Sequence, residues 1–116
     1  MEQELRMQVY NKYNNRCAYC GRLLEYKDMQ VDHIRSKKHG GTDDLSNLNP
    51  SCRTCNHYKR ALSLETYRKV WLGKLHERLE KDYRVKVALA YGIIKEVVPF
   101  DGKFYFERVQ DGSTRG

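Results

Sequence analysis

Apolar and polar positions change their spacing several times along this 116-residue chain, and each change predicts an element. Leu5, Val9 and Tyr13 recur every four residues, which predicts a helix over residues 2–14. Residues 29–34, Met-Gln-Val-Asp-His-Ile, alternate apolar and polar side chains and predict a short strand ending in Asp32-His33. Residues 35–46, RSKKHGGTDDLS, are polar and glycine-rich and read as a loop. Asn47-Leu48-Asn49-Pro50 reads as a short return strand or turn, and a helix can run from about residue 53 through RTCNHYKRAL. On that helix residues 56, 59 and 60 share a face at the i, i+3, i+4 spacing.

The second half is built on a longer stripe. Ser63 suits an N-cap, and Leu64, Tyr67, Trp71, Leu75 and Leu79 follow at spacings of three and four. That stripe is read as core packing. Residues 83–91 predict a further short helix ended by Gly92, or a strand, given Val85 and Val87. KFYFERV at 103–109 alternates after an Asp101-Gly102 turn and predicts a C-terminal strand, with residues 110–116 fraying. The mixture is α+β.

The length is enough for one modest domain, residues 1–116, and a domain of this size has a limited core that a covalent or metal staple would strengthen. Apolar residues make up 40% and charged residues 32%, a globular balance with no run approaching the roughly 20 residues that cross a bilayer. The N-terminus, MEQELRMQVYNKY, lacks the apolar segment of a secretory signal, so a cytoplasmic protein without a membrane partner is expected, in the host cytoplasm if viral. The net charge is +7, of which residues 1–62 carry +4 and residues 63–116 carry +3. A basic excess spread over a folded surface suits an anionic polymer, DNA or RNA.

The four cysteines form two matched pairs, Cys17-Ala-Tyr-Cys20 and Cys52-Arg-Thr-Cys55, separated by 31 residues. Two residues between cysteines let both thiolates reach one metal from a single turn. Two such turns supply the tetrahedral four-sulfur set that zinc prefers, although the same set also accepts iron. Gly21 can take the positive φ that closes the first knuckle. Disulfides do not suit a chain without a signal peptide, and a redox site would need one reactive pair, not two alike. A closed four-sulfur site leaves no position for substrate, so its zinc would hold the fold and not catalyse.

Between and after the pairs stand VDHI, GG-x-x-x-LSNL and, directly behind the second C-x-x-C, Asn56-x-x-Lys59. In this order the residues resemble the HNH nuclease family. The resemblance covers roughly residues 10–62 and implies a ββα-metal core bracketed by two CxxC zinc knuckles. Flanking helices and the C-terminal strand would then form an extension over residues 63–116, loosely similar to that of free-standing HNH proteins of bacterial viruses. Asp32 and Asn56 would hold a hydrated magnesium or manganese ion, as in the HNN variant of the family. His33 would be the general base, Asn47 would pin the loop and orient His33, and Lys59 would contact the phosphate backbone. Adjacent strand residues point to opposite faces, so Asp32 and His33 could serve one phosphate only if the strand twists or ends there.

His57 competes with Asn56 for the metal and would restore the letters H-N-H. The ligand position follows the cysteine directly, however, and His57 would point about 100° away around the helix. Lys37, Lys38 and Arg60 are further candidates for DNA contact, and Arg68, Lys69, Lys74, Arg78 and Lys81 could extend the track. The expected function is therefore metal-dependent hydrolysis of DNA, in preference to RNA. The alternative is a non-catalytic zinc-knuckle module that binds nucleic acid, which would have no use for Asp32, His33 and Asn56 together. A homodimer or a phage or host protein partner remains open from sequence.

Overall fold

The protein was analysed as a computed structural model, which describes residues 1–110. Its elements are α1 (Gln3–Tyr10), β1 (Gln30–His33), β2 (Leu48–Ser51), α2 (Arg53–Lys59), α3 (Leu64–Thr66), α4 (Leu75–Lys81), α5 (Tyr83–Ala90) and α6 (Tyr105–Gln110). Short 3₁₀ turns lie at Tyr26–Asp28, Lys37–His39 and Leu45–Asn47, and a π-helical turn spans Tyr67–Leu72. The chain divides into two compact units. One contains residues 1–64 and the segment from Lys103, the other residues 65–102.

In the first unit β1 and β2 form a two-stranded antiparallel ribbon, with Asp32 opposite Asn49 and His33 opposite Leu48. A two-stranded ribbon is marginal alone, so it needs packing on both sides. Val9 of α1, Cys17, Ala18, Leu24, Met29 and Leu48 are buried to 6% exposure or less and supply that core. The helix expected over residues 2–14 stops at Tyr10, and beyond it Asn14 and Asn15 adopt left-handed backbone (φ 58° and 59°) that turns the chain into the first knuckle. Arg6 then ties α1 to the carbonyls of Met29 and Tyr26, at 2.8 and 3.1 Å.

The C-terminal strand expected at 103–109 is instead α6. Phe104, Tyr105 and Phe106 are all buried, Phe104 and Phe106 both pack edge-on against Tyr19, and Phe106 also meets Tyr13. The amides of Tyr105 and Phe106 donate to the carbonyls of Tyr19 and Ala18, at 3.1 and 2.8 Å. The Glu107 carboxylate accepts from the Phe104 amide at 2.9 Å, the reach-back that starts a helix. Three successive aromatics therefore serve burial in a turn and not the two faces of a strand. They group this segment with the first unit. The expectation for 111–116 lies outside the described residues.

In the second unit the stripe residues Tyr67, Trp71, Leu75 and Leu79 are buried or half-buried, as a packing face requires. Residues 83–90 are helical, not extended, and the Asp82 carboxylate caps them by accepting from the Arg84 amide at 2.8 Å. Among the described residues no helix is long and apolar enough to cross a membrane.

Candidate functional site

The two C-x-x-C segments meet. The Sγ atoms of Cys17, Cys20, Cys52 and Cys55 lie within 4.8 Å of one another, and those of Cys20 and Cys52 are 3.8 Å apart. Zinc–sulfur bonds of about 2.3 Å at tetrahedral angles put sulfurs about 3.8 Å apart, so the spacing fits a metal ion such as zinc. All four cysteines are free of disulfides. Hydrogen bonds from Cys20 and then Cys55 draw the Cys17 thiol strongly down. The bond with Cys17 is the chief reason that Cys20 is pushed up to about 11, and Cys55 is raised by Cys17 and then Cys20. Four thiolates so close repel one another, and a divalent cation is what lets them ionise together. Gly21 closes the first knuckle at φ +80°, and a Cβ there would also press within 3.1 Å of the Tyr105 ring.

β1 ends at His33, which resolves the problem of two adjacent side chains serving one site. Asp32 and His33 both border an open cavity of about 260 Å³ together with Ser36, Lys37, Asn56 and Arg60. Asn56 reaches it from the first turn of α2, whose N-cap is the Cys52 sulfur, accepting from the Cys55 amide at 3.4 Å. His57, one position on, is exposed and does not line the cavity.

Asp32 is the most constrained residue of the group. It is 4% exposed. The Tyr19 hydroxyl donates to its Oδ2, and Lys59 Nζ lies 3.1 Å from Oδ2 and 3.3 Å from Oδ1. Burial pushes the Asp32 carboxyl above its ordinary range, opposed first by the charge of Lys59 and then by the Tyr19 hydrogen bond. Lys59 is completely buried and also donates to the His33 carbonyl at 3.3 Å. This corrects the expectation that Lys59 contacts DNA. Its position on α2 faces the end of β1, where a partner carboxylate offsets the cost of burying the ammonium. Of the other predicted contact residues, Lys37, Lys38 and Arg60 are exposed, and Lys37 and Arg60 border the cavity.

The His33 ring is oriented by a residue that the sequence reading passed over. Its Nε2 is 2.7 Å from Asp43 Oδ1, and Lys37 Nζ is 2.9 Å from Asp43 Oδ2. These two bonds hold the Asp43 carboxyl below the usual carboxylate range, that with His33 first. Asn47, expected to pin the loop and orient His33, bonds the loop itself. Its Oδ1 accepts from the Arg35 amide at 2.9 Å, and its Nδ2 donates to the carbonyls of Arg35 and Thr42, at 3.0 and 2.8 Å. It thereby ties down Thr42, the neighbour of Asp43, and makes no hydrogen bond to the His33 ring. The loop closes so tightly that a Cβ on Gly41 would fall 1.7 Å from the Arg35 carbonyl oxygen. Two further residues were missed: Tyr19, inside the first C-x-x-C, and the fully buried Asn49, whose Nδ2 donates to the Tyr19 hydroxyl at 3.4 Å. The available signals were a second carboxylate on the loop that follows the histidine, and an aromatic donor between two cysteines.

Residues 17–61 match the HNH endonuclease family. The chain is 27% identical over 101 residues to YoqL, derived from the SPbeta prophage of Bacillus subtilis (strain 168) and named for that family. The match takes in 64% of this chain and 43% of YoqL, so the chain spans less than half the length of that relative. Among solved structures it is similar to the Type II-C Cas9 enzyme from Actinomyces naeslundii, with a TM-score of 0.53 at 20% identity, covering 75% of this chain and 10% of that one. That likeness is one of fold.

Proposed function

We propose, from the premise that residues 17–61 are an HNH-family segment, that this chain is a metal-dependent endonuclease hydrolysing DNA phosphodiester bonds. The observation that carries the reading is the convergence of Asp32, His33 and Asn56 on one cavity, from a strand end and a helix start. Asp32 and Asn56 offer a carboxylate and an amide oxygen, hard donors that suit a hydrated magnesium or manganese ion. When bound, such an ion supplies charge neutralisation at phosphorus and support for the leaving oxygen. The four cysteines hold zinc as a closed, structural site.

His33 takes the proton from the attacking water. A carboxylate 2.7 Å from Nε2 requires that nitrogen to carry its hydrogen, which leaves Nδ1 as the basic nitrogen. Asp43 also stabilises the imidazolium formed as the proton arrives. Lys37 and Arg60, exposed at the rim, grip the phosphate backbone, and the net charge of +7 favours a polyanionic substrate. The products carry 5′-phosphate and 3′-hydroxyl ends.

The test mixes the protein with supercoiled plasmid and magnesium or manganese, with and without EDTA, alongside His33→Ala, Asn56→Ala and His57→Ala. Loss of a general base should slow nicking by about 10²–10⁴-fold, and Asn56→Ala should lose more than His57→Ala. Equal nicking by wild type and His33→Ala would remove His33 as the base. No nicking by wild type with either metal would leave the alternative, a module that binds nucleic acid without cutting it.

A further inference from the structure

Tyr19 is 4% exposed and stands between the two cysteines of the first knuckle, yet its hydroxyl is directed at the other site, onto Asp32 Oδ2. The direction of that bond is fixed by its neighbours. Lys12 Nζ can only donate, and it lies 3.4 Å from Asn49 Oδ1. Asn49 therefore presents its amide nitrogen to the Tyr19 oxygen, at 3.4 Å. The Tyr19 oxygen accepts from Asn49, so its hydrogen is available for Asp32. Asn49 is itself the cross-strand partner of Asp32, which places both side chains on one face of the ribbon.

The two oxygens of Asp32 consequently face different donors. Oδ2 accepts a hydrogen bond from the Tyr19 hydroxyl and Oδ1 accepts one from Lys59 Nζ, which also pairs with Oδ2 at 3.1 Å. A carboxylate oxygen has two lone-pair directions, so the two bonds orient the carboxylate and leave it lone pairs for a further partner. The ring of Tyr19 cannot swing, because Phe104 and Phe106 pack against it edge-on with centroids 5.3 and 6.0 Å away. Its own carbonyl is bonded by the Tyr105 amide.

We propose that Tyr19 is a positioning residue for Asp32, through which the four-cysteine knuckle and the 104–106 aromatics hold the carboxylate oriented for a divalent cation. The inference rests on the reading of Asp32 as a ligand given above. It makes the knuckle more than a staple, since the turn that brings Cys17 and Cys20 together also aims the group that orients Asp32.

Tyr19→Phe removes the hydroxyl and keeps the ring. The measurement is titration of manganese into zinc-loaded protein, read by the loss of free-ion electron paramagnetic resonance signal. It is run on wild type, Tyr19→Phe and Asp32→Asn, with plasmid nicking and thermal unfolding in parallel. Loss of a hydrogen bond to a charged group should weaken manganese binding by about tenfold or more in Tyr19→Phe. The nicking rate should return toward wild type at saturating manganese, a split that a general loss of stability would not give. Phe104→Leu, which loosens the ring without touching the hydroxyl, should weaken binding less than Tyr19→Phe. Manganese affinity in Tyr19→Phe equal to or tighter than wild type would overturn the proposal alone. If wild type and Asp32→Asn bind manganese equally, the reading of Asp32 as a ligand falls and the proposal falls with it.

Discussion

Replacing Lys59 by methionine keeps a long unbranched stem of similar volume and deletes one charge. Lys59 is 0% exposed, and its Nζ lies 3.1 Å from Asp32 Oδ2 and 3.3 Å from Oδ1. At 3.1 Å and an effective dielectric constant of about 20, the attraction is about 5 kcal/mol. Removing one partner of a buried pair costs about 3–5 kcal/mol by general experience, because the other charge is left uncompensated. Lys59→Met should therefore lose about 3–5 kcal/mol near neutral pH, a large share of the roughly 5–15 kcal/mol that keeps a domain folded. The loss should also depend on pH. Burial already raises the Asp32 carboxyl, and Lys59 is the strongest influence holding it down. An acid whose value is raised on folding contributes stability that is present below its unfolded value and lost as pH rises through its folded value. In Lys59→Met the folded value moves higher still, so the deficit should be smallest in mild acid and widen toward neutrality. Urea denaturation in zinc-containing buffer at about pH 5.5 and about pH 7.5 measures it, with an Asp32→Asn, Lys59→Met double variant as reference so that acid effects on the cysteines cancel. The double variant buries neither charge and should recover much of the loss. A deficit below about 1 kcal/mol that is the same at both pH values would refute the buried pair.

Two other outcomes follow from the site. Asp43→Asn leaves the exposed loop anchored by Asn47 but weakens the hold on His33 Nε2, so nicking should fall by about tenfold with thermal stability unchanged. Nicking at the wild-type rate would show that Asp43 does not orient the base. Zinc removal by a strong chelator, or Cys17→Ala, should abolish the cooperative thermal transition, since a structural zinc site carries folding energy outright. Elemental analysis finding no zinc, with Cys17→Ala folding normally, would dismiss the staple.

Local pattern was enough wherever an element's chemistry lay within a few residues. The alternation at 29–34 became β1, the return strand or turn expected at 47–50 became β2 (Leu48–Ser51), and the helix after Cys52 became α2, because each is decided by side chains that share a face at fixed spacing. The C-x-x-C spacing predicted the four-sulfur cluster for the same reason. The segment at 103–109 went the other way. Its alternation satisfied the strand rule, but Phe104 and Phe106 are buried against Tyr19, and Glu107 caps the turn beside them. The Glu107 reach-back was not legible as a capping signal, since Phe104 stands where Ser, Thr, Asp or Asn would mark a helix start. Nor was the aromatic cluster, since its partners lie more than 80 residues away in sequence.

The site divides along the same line. That the four cysteines cluster was readable from spacing, and that Asp32, His33 and Asn56 come to one cavity was what the family resemblance led one to expect. What each side chain faces was not readable. Lys59 has the sequence of a DNA contact and the surroundings of a buried counter-ion. Asp43 looks like one more loop acid until the loop closes at Gly41 and sets it 2.7 Å from His33. Tyr19 reads as a spacer between two cysteines until β2 brings Asn49 beneath it. Spacing along the chain fixes direction only within one element. Burial and charge pairing between distant elements exist only after packing, and here packing made Lys59 a buried partner of Asp32.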